Sequence, residues 1–179
     1  EPMYATETAD QTLRVHLDEN LMRKTGDGSG GTTVTNGAAK SVSTEGNADG
    51  TVTWTFKLRK AEWSDGRAVR AGDFVFAWQR LADPANDSPS ASLLSVVAGY
   101  DAVRETGDVS LLQVTAEDDS TLVVVLNGKF DWFLTEVCTA PATMPLRQDL
   151  LQAETAAAAG ETAAAAAGQA GGAPTWTDL

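Results

Sequence analysis

The residues predict an α+β fold, a small and mostly antiparallel sheet packed by helices, and three stretches carry that prediction. Val52, Trp54, Phe56 and Leu58 alternate with Thr51, Thr53, Thr55 and Lys57, the period of two of a strand with one buried face. Phe74, Trp78 and Leu81 recur at i, i+4 and i+7, with Val75 and Ala77 widening the stripe, the period of an amphipathic helix. Val114-Thr115-Ala116 and residues 122–126 flank the acidic turn Glu117-Asp118-Asp119-Ser120, which reads as a hairpin.

In chain order, Leu13, Leu17 and Leu21 at i, i+4 and i+8, with Val15 and Met22 beside them, predict a short helix within residues 1–24. Four glycines in residues 26–31 then break regular structure, and residues 32–47 stay small and polar, so that stretch reads as a loop or a loosely held connection. Asp49-Gly50 marks the turn into the strand of residues 51–59; Ser64-Asp65-Gly66 marks another before a short extended piece at 68–70.

The helix is expected over residues 71–82, stopped by Asp83-Pro84. Asp73 suits the positive end of its dipole, whereas Arg70, at the capping place, offers no acceptor. Two shorter helical stretches are expected at 90–98 and 100–106, and the apolar run at 130–137 gives one or two more helical turns, ended by Pro141 and Pro145. Residues 153–173 are almost wholly Ala, Gly, Glu, Thr and Gln, with no large group to bury, and read as a solvated helix or a flexible tail. Trp176 restores a large apolar group just before Leu179.

At 179 residues and 42% hydrophobic content the chain can build the core of one ordinary domain. Nine Trp and Phe side chains between positions 54 and 133 say where that core lies. Thirteen basic against twenty-five acidic residues give a net charge of −12, which repels phosphate backbones and anionic lipid, so no nucleic acid is expected as a partner. No window approaches the ~20 consecutive apolar residues of a membrane span, and Glu1-Pro2 opens with neither a basic nor an apolar leader region, so the chain is expected to be soluble as given. Cys138 is the only cysteine, excluding an internal disulfide; among Leu134, Val137 and the nearby prolines it reads as a small buried hydrophobe.

Catalytic chemistry has little to stand on. His16 is the sole histidine, far in sequence from Cys138 and from any Gly-flanked serine, and reads as an ordinary histidine. Carboxylates gather at Glu45 with Asp49, at Asp83 with Asp87, and at Glu117-Asp118-Asp119, but residues 45–50 lack the alternating ligands and distal Glu of a calcium loop and read as a solvated turn. No dinucleotide fingerprint, phosphate loop or zinc-protease motif occurs, so no cofactor and no metal is expected. Trp54 and Trp78 sit on the apolar faces of their elements and read as core; periodicity leaves Trp63, Trp132 and Trp176 open.

Three submotifs then appear in order: Trp54-Thr55-Phe56-Lys57-Leu58-Arg59, Trp63-Ser64-Asp65-Gly66, and Val69-Arg70-Ala71-Gly72-Asp73-Phe74-Val75-Phe76-Ala77-Trp78-Gln79-Arg80. With Asp83-Pro84, Ser88-Pro89-Ser90 and the stretch 114–122, this pattern resembles the oligopeptide-binding and dipeptide-binding proteins of ABC importers, extracellular solute-binding proteins of family 5, across residues 38–150. The resemblance implies a three-lobed, periplasmic-binding-protein-like fold in which a peptide is enclosed between lobes one and three. Residues 38–150 would be the accessory lobe two, 1–37 a lobe-one stub and linker, and 151–179 an Ala/Gly-rich tail leading back towards lobe one. Complete members are much longer, so this chain alone is expected to bind peptide weakly or not at all.

In the family, peptide backbone is held largely by main-chain hydrogen bonds in an extended pose. Some relatives add a lobe-two Tyr from a Ser-Pro-Tyr-Ala segment; Ser90 stands at that place here and is the one ligand-binding residue the resemblance implies. It further implies no enzymatic activity, a monomer, an ABC permease as partner, and an extracytoplasmic location with a lipid anchor in the full-length protein. The motifs define scaffold rather than ligand, so nickel chelates, sugars or haem remain alternative solutes. From other classes, a hydrolase would depend on Asp83, Asp87 or His16, and a free-standing interaction domain would hold a partner unaided.

Overall fold

The alternating run around Trp54 is a strand, and it lies inside a sheet rather than at its edge. The computed structural model describes residues 2–4 and 19–152. Its strands are β1 (Met22–Gly26), β2 (Thr32–Asn36), β3 (Ala39–Gly46), β4 (Val52–Leu58), β5 (Val114–Asp118) and β6 (Thr121–Leu126). β1 and β2 form a two-stranded antiparallel sheet; the other four make an antiparallel sheet in the order β3-β4-β6-β5. Phe56 stands opposite Val42 on one side and Leu122 on the other, and Val114 opposite Val124, so one face collects the apolar side chains.

Helix α1 (Ala71–Ala82) has the expected bounds and buries Ala71, Phe74, Ala77, Trp78, Leu81 and Ala82, lying across β5 and β6. Arg70 holds the capping place with extended backbone and no side-chain acceptor, and the helix end is closed instead by Asp73 reaching back to it. The Asp73 carboxylate accepts the Arg70 N–H (2.9 Å) and the Trp63 indole N–H (3.2 Å), while the Asp73 N–H donates to the Arg70 carbonyl (3.0 Å). Helix α2 (Tyr100–Thr106) also falls where expected, between Gly99 and Gly107, both left-handed.

Phe133 joins these pieces. Its ring meets Trp54 at 5.5 Å, Phe56 at 6.4 Å and Trp78 edge-on at 6.3 Å, a cluster that accounts for why the aromatic residues concentrate in this half of the sequence. Cys138 is fully buried beside it, and burial pushes its thiol pKa up, as suits an inert core residue.

Two expectations change, and a third is met by the structure only at its end. Residues 32–47 are not a loop: they hold β2 and β3, and burial there is confined to Gly37 and Ala38 between the strands, Ala39 at the start of β3, and the half-buried Val34 and Val42. Backbone pairing with β1 and β4 makes these strands, so their side chains needed no apolar alternation. The helix expected within 1–24 has residues 5–18 outside the described part; Leu21 stands just before β1 and Met22 begins it, its N–H donating to the Cys138 carbonyl (3.0 Å). The helix expected at 90–98 shrinks to a 3₁₀ turn, Ala91–Leu94. Beyond it the chain extends because the end of β6 offers partners: Ala98 N–H donates to Val125 O (2.8 Å), and Asn127 N–H to Val96 O (2.9 Å).

Residues 130–137 do form helical turns, as a π-helical segment at Phe133–Val137. The chain divides into a unit of Glu1–Leu146 and a second of Arg147–Leu179. In the second, residues 148–152 are helical and the Arg147 guanidinium holds the Asp149 carboxylate at 2.6 and 2.7 Å. The Ala-rich stretch 153–173 and Trp176 lie outside the described residues.

Candidate functional site

Ser90 precedes the Ala91–Leu94 turn half-buried. Its N–H donates to Ser88 Oγ (3.2 Å), and its hydroxyl makes no capping bond to that turn. Ser88 is buried and its hydroxyl donates to the Met3 carbonyl (2.8 Å), while the Tyr4 hydroxyl donates to the Asn86 carbonyl (2.7 Å). The 3₁₀ turn Pro2–Tyr4 is thereby fastened to the segment that carries Ser90.

A second fastening was invisible in the sequence. Buried Asn20 donates through Nδ2 to the Ala140 carbonyl (2.6 Å) and Thr143 Oγ1 (2.9 Å), and its Oδ1 accepts the Leu21 N–H (2.7 Å). Thr143 Oγ1 donates onward to Val137 O, and the Thr143 carbonyl accepts the Trp78 indole N–H (2.9 Å). Residue 20 is thus tied to the segment 137–143, more than a hundred residues away in sequence, and through Thr143 to α1.

An open groove of about 380 Å³ lies where residues 58–62, 68–70 and 119–120 meet. Its apolar surface comes from Leu58, Ala61, Ala68 and Val69; Arg59, Lys60 and Arg70 bring positive charge, and Glu62 and Asp119 negative. Sequence reasoning singled out none of these as binding residues: Arg59 entered only as part of a family submotif and Arg70 also as a poor cap. The available signal was the density of cations on both sides of the Trp63 turn in an otherwise acidic chain.

The carboxylate groups considered from sequence are turn fittings. The Asp49 carboxylate accepts the Thr51 N–H and hydroxyl (2.9 and 2.6 Å), and its pKa is lowered by the Thr51 hydroxyl first and then the N–H. Asp83 accepts the Ala85 N–H (2.9 Å), and Asp87 ends the following 3₁₀ turn in a left-handed conformation. Asp118 accepts from Thr121 Oγ1 (2.8 Å), Ser120 N (2.7 Å) and Ser120 Oγ (2.8 Å); these donors, the Thr121 hydroxyl foremost, hold it down at about 2. Among the described residues no group of three or more His, Cys, Asp or Glu is placed to hold a metal. His16 lies outside them.

The tryptophans divide. Trp78 is fully buried; Trp54 is half-buried, with an indole N–H that has no partner among the described residues; Trp63 is half-buried on Asp73; Trp132 is exposed and edge-on to Phe130 at 5.7 Å. No helix among the described residues is long and apolar enough to cross a membrane.

Comparison with known proteins places this architecture. The family model described as bacterial extracellular solute-binding proteins, family 5 Middle, matches residues 33–171. The periplasmic oligopeptide-binding protein OppA of Escherichia coli K12 is 44% identical over 97 residues, which is 52% of this chain and 18% of that protein. The probable deoxycholate-binding periplasmic protein YgiS of the same organism is 42% identical over 91 residues, 49% of this chain and 17% of that protein. The substrate-binding domain of an oligopeptide ABC transporter from Bacillus anthracis superposes with a TM-score of 0.75 at 34% identity, covering 86% of this chain and 28% of that one. The chain therefore spans under a fifth of the curated relatives it matches.

Proposed function

Because the chain belongs to the bacterial extracellular solute-binding proteins of family 5, we propose that it is a supporting part of a protein that captures oligopeptides outside the cytoplasm for an ABC importer. The observation that carries this reading is the match across residues 33–171, which takes in β3, β4, α1 and the β5–β6 hairpin. Similarity to proteins named for oligopeptide binding and transport supports peptide as the solute. In this reading residues 38–150 are the accessory lobe, and 1–37 and 151–179 lead from and back to a principal lobe. The fastenings at Met3–Ser88 and Asn20–Thr143 support it, since they tie residues of the N-terminal stretch to that lobe.

A cleft that encloses a peptide needs a second lobe, so this chain acts as scaffold and catalyses no reaction. Ser90 contributes at most one hydrogen bond to the ligand. The full-length protein works as a lipid-anchored, extracytoplasmic monomer that delivers its ligand to a membrane permease. Calorimetric titration of the full-length protein with mixed oligopeptides tests the reading. One-to-one binding is expected there and, for peptides without acidic residues, none to the 179-residue chain, and Ser90→Ala should weaken the full-length protein about two- to tenfold, the ~0.5–1.5 kcal/mol of one hydrogen bond.

A second reading has one specific support, the similarity to a protein named for probable deoxycholate binding. Saturable uptake of deoxycholate with no heat from peptides would establish that solute class and overturn the peptide reading.

A further inference from the structure

We infer that the groove between residues 58–62, 68–70 and 119–120 is a docking site for an acidic peptide segment that carries one aliphatic anchor residue. Residues 57–70 hold five of the chain's thirteen basic residues, Lys57, Arg59, Lys60, Arg67 and Arg70, against Glu62 and Asp65 alone, whereas the rest of the sequence has eight basic and twenty-three acidic residues. A depression with three cations at its margin is therefore set on a molecule whose overall field is negative, and it selects the sign of what settles there.

These cations are available. Arg70 Nε stands 3.6 Å from Asp119 Oδ2 with both side chains exposed, a surface pair that contributes little and that an incoming carboxylate replaces at small cost. Arg59 Nη2 rests on the Asn36 carbonyl at 3.3 Å at the exposed surface, and Lys60 is exposed with no ion pair among the described residues. Between them Leu58, Ala61 and Val69 give an apolar floor with room for a few residues, not for a folded domain.

The frame is built before anything binds. Leu58 N–H donates to Ser120 O (2.7 Å), Ala71 N–H to Asp119 O (2.8 Å) and Val69 N–H to Ala61 O (2.9 Å), so little backbone has to be ordered on docking. Glu62 and Asp119 within the groove disfavour the dense, fixed phosphates of nucleic acid or an anionic membrane, while carboxylates spaced along a short peptide can meet the cations and avoid Glu62. The site stands independently of the proposed transport function, because it lies wholly within this chain and needs no second lobe.

The test is fluorescence anisotropy of a labelled Asp-Glu-Leu-Asp-Glu peptide titrated with the 179-residue chain at about 50 and about 300 mM salt, concentrations that bracket the loss of surface attraction by screening. Saturable binding is expected, weakened at the higher salt. It should fall about tenfold with glycine in place of the leucine, and be absent for the lysine counterpart of the peptide. The Arg59→Ala/Lys60→Ala double variant and Arg70→Ala should each cost about tenfold while circular dichroism and Tm stay unchanged. The inference is overturned by absence of binding, by equal binding of the glycine peptide, or by affinities that the folded variants retain. It is equally overturned if sedimentation shows that the anisotropy rise accompanies dimerisation, which would make a second copy the occupant.

Discussion

Asp118 shows how a residue that looks functional in the sequence is consumed by local structure. Three donors converge on its carboxylate, and the pattern Asp-x-Ser/Thr recurs: Asp27 holds Ser29, Asp49 holds Thr51, Asp108 holds Ser110 and Asp118 holds Ser120, each through backbone N–H and hydroxyl together. All four carboxyls are lowered from the ordinary 3.8, Asp118 to about 2. The folded value lies below the unfolded one, so the Asp118 contribution to stability is fully present above about pH 4 and is lost as pH falls through about 2. A carbon-detected NMR titration should place the Asp118 midpoint near 2, and Asp118→Asn should flatten the stability profile between those values. A midpoint near 4 would mean that the turn does not hold its donors in solution.

Among elements, those with a large apolar face were legible and the polar ones were not. α1 was readable to its last residue because Phe74, Trp78 and Leu81 all point at the core, although its cap was not: Asp73 reaches back to Arg70, which the sequence showed only as a missing acceptor. β2 and β3 escaped because backbone partners, not side chains, define them. α2 falls at the expected residues 100–106, and Gly99 before it is required there on two grounds. Its φ is +85°, and a Cβ would stand 1.9 Å from the Leu111 carbonyl oxygen. Gly99→Ala should therefore destabilise the protein by about 1–3 kcal/mol, measured by urea unfolding, with far-UV circular dichroism of the native state little changed.

At the scale of the molecule, Phe133 holds the described unit together by touching Trp54 and Phe56 of β4 and Trp78 of α1. Phe133→Ala should cost about 3–5 kcal/mol in chemical denaturation, against a total stability on the order of 5–15 kcal/mol for a domain of this kind. A loss below 1 kcal/mol would show that the cluster is loosely packed. The sequence by itself determined the α+β class, the strand around Trp54, α1, α2, the β5–β6 hairpin and the family, because each is written in neighbouring residues whose spacing decides which side chains share a face. Tertiary structure alone decided that β2 and β3 are strands, that residues 95–98 leave the helical path, that Asn20 is tied to Thr143, and that cations on either side of Trp63 share a groove with the β5–β6 turn. In each of those cases the partner is a backbone or side-chain group distant in sequence, and a hydrogen bond supplied from elsewhere leaves no periodic trace in the segment that receives it.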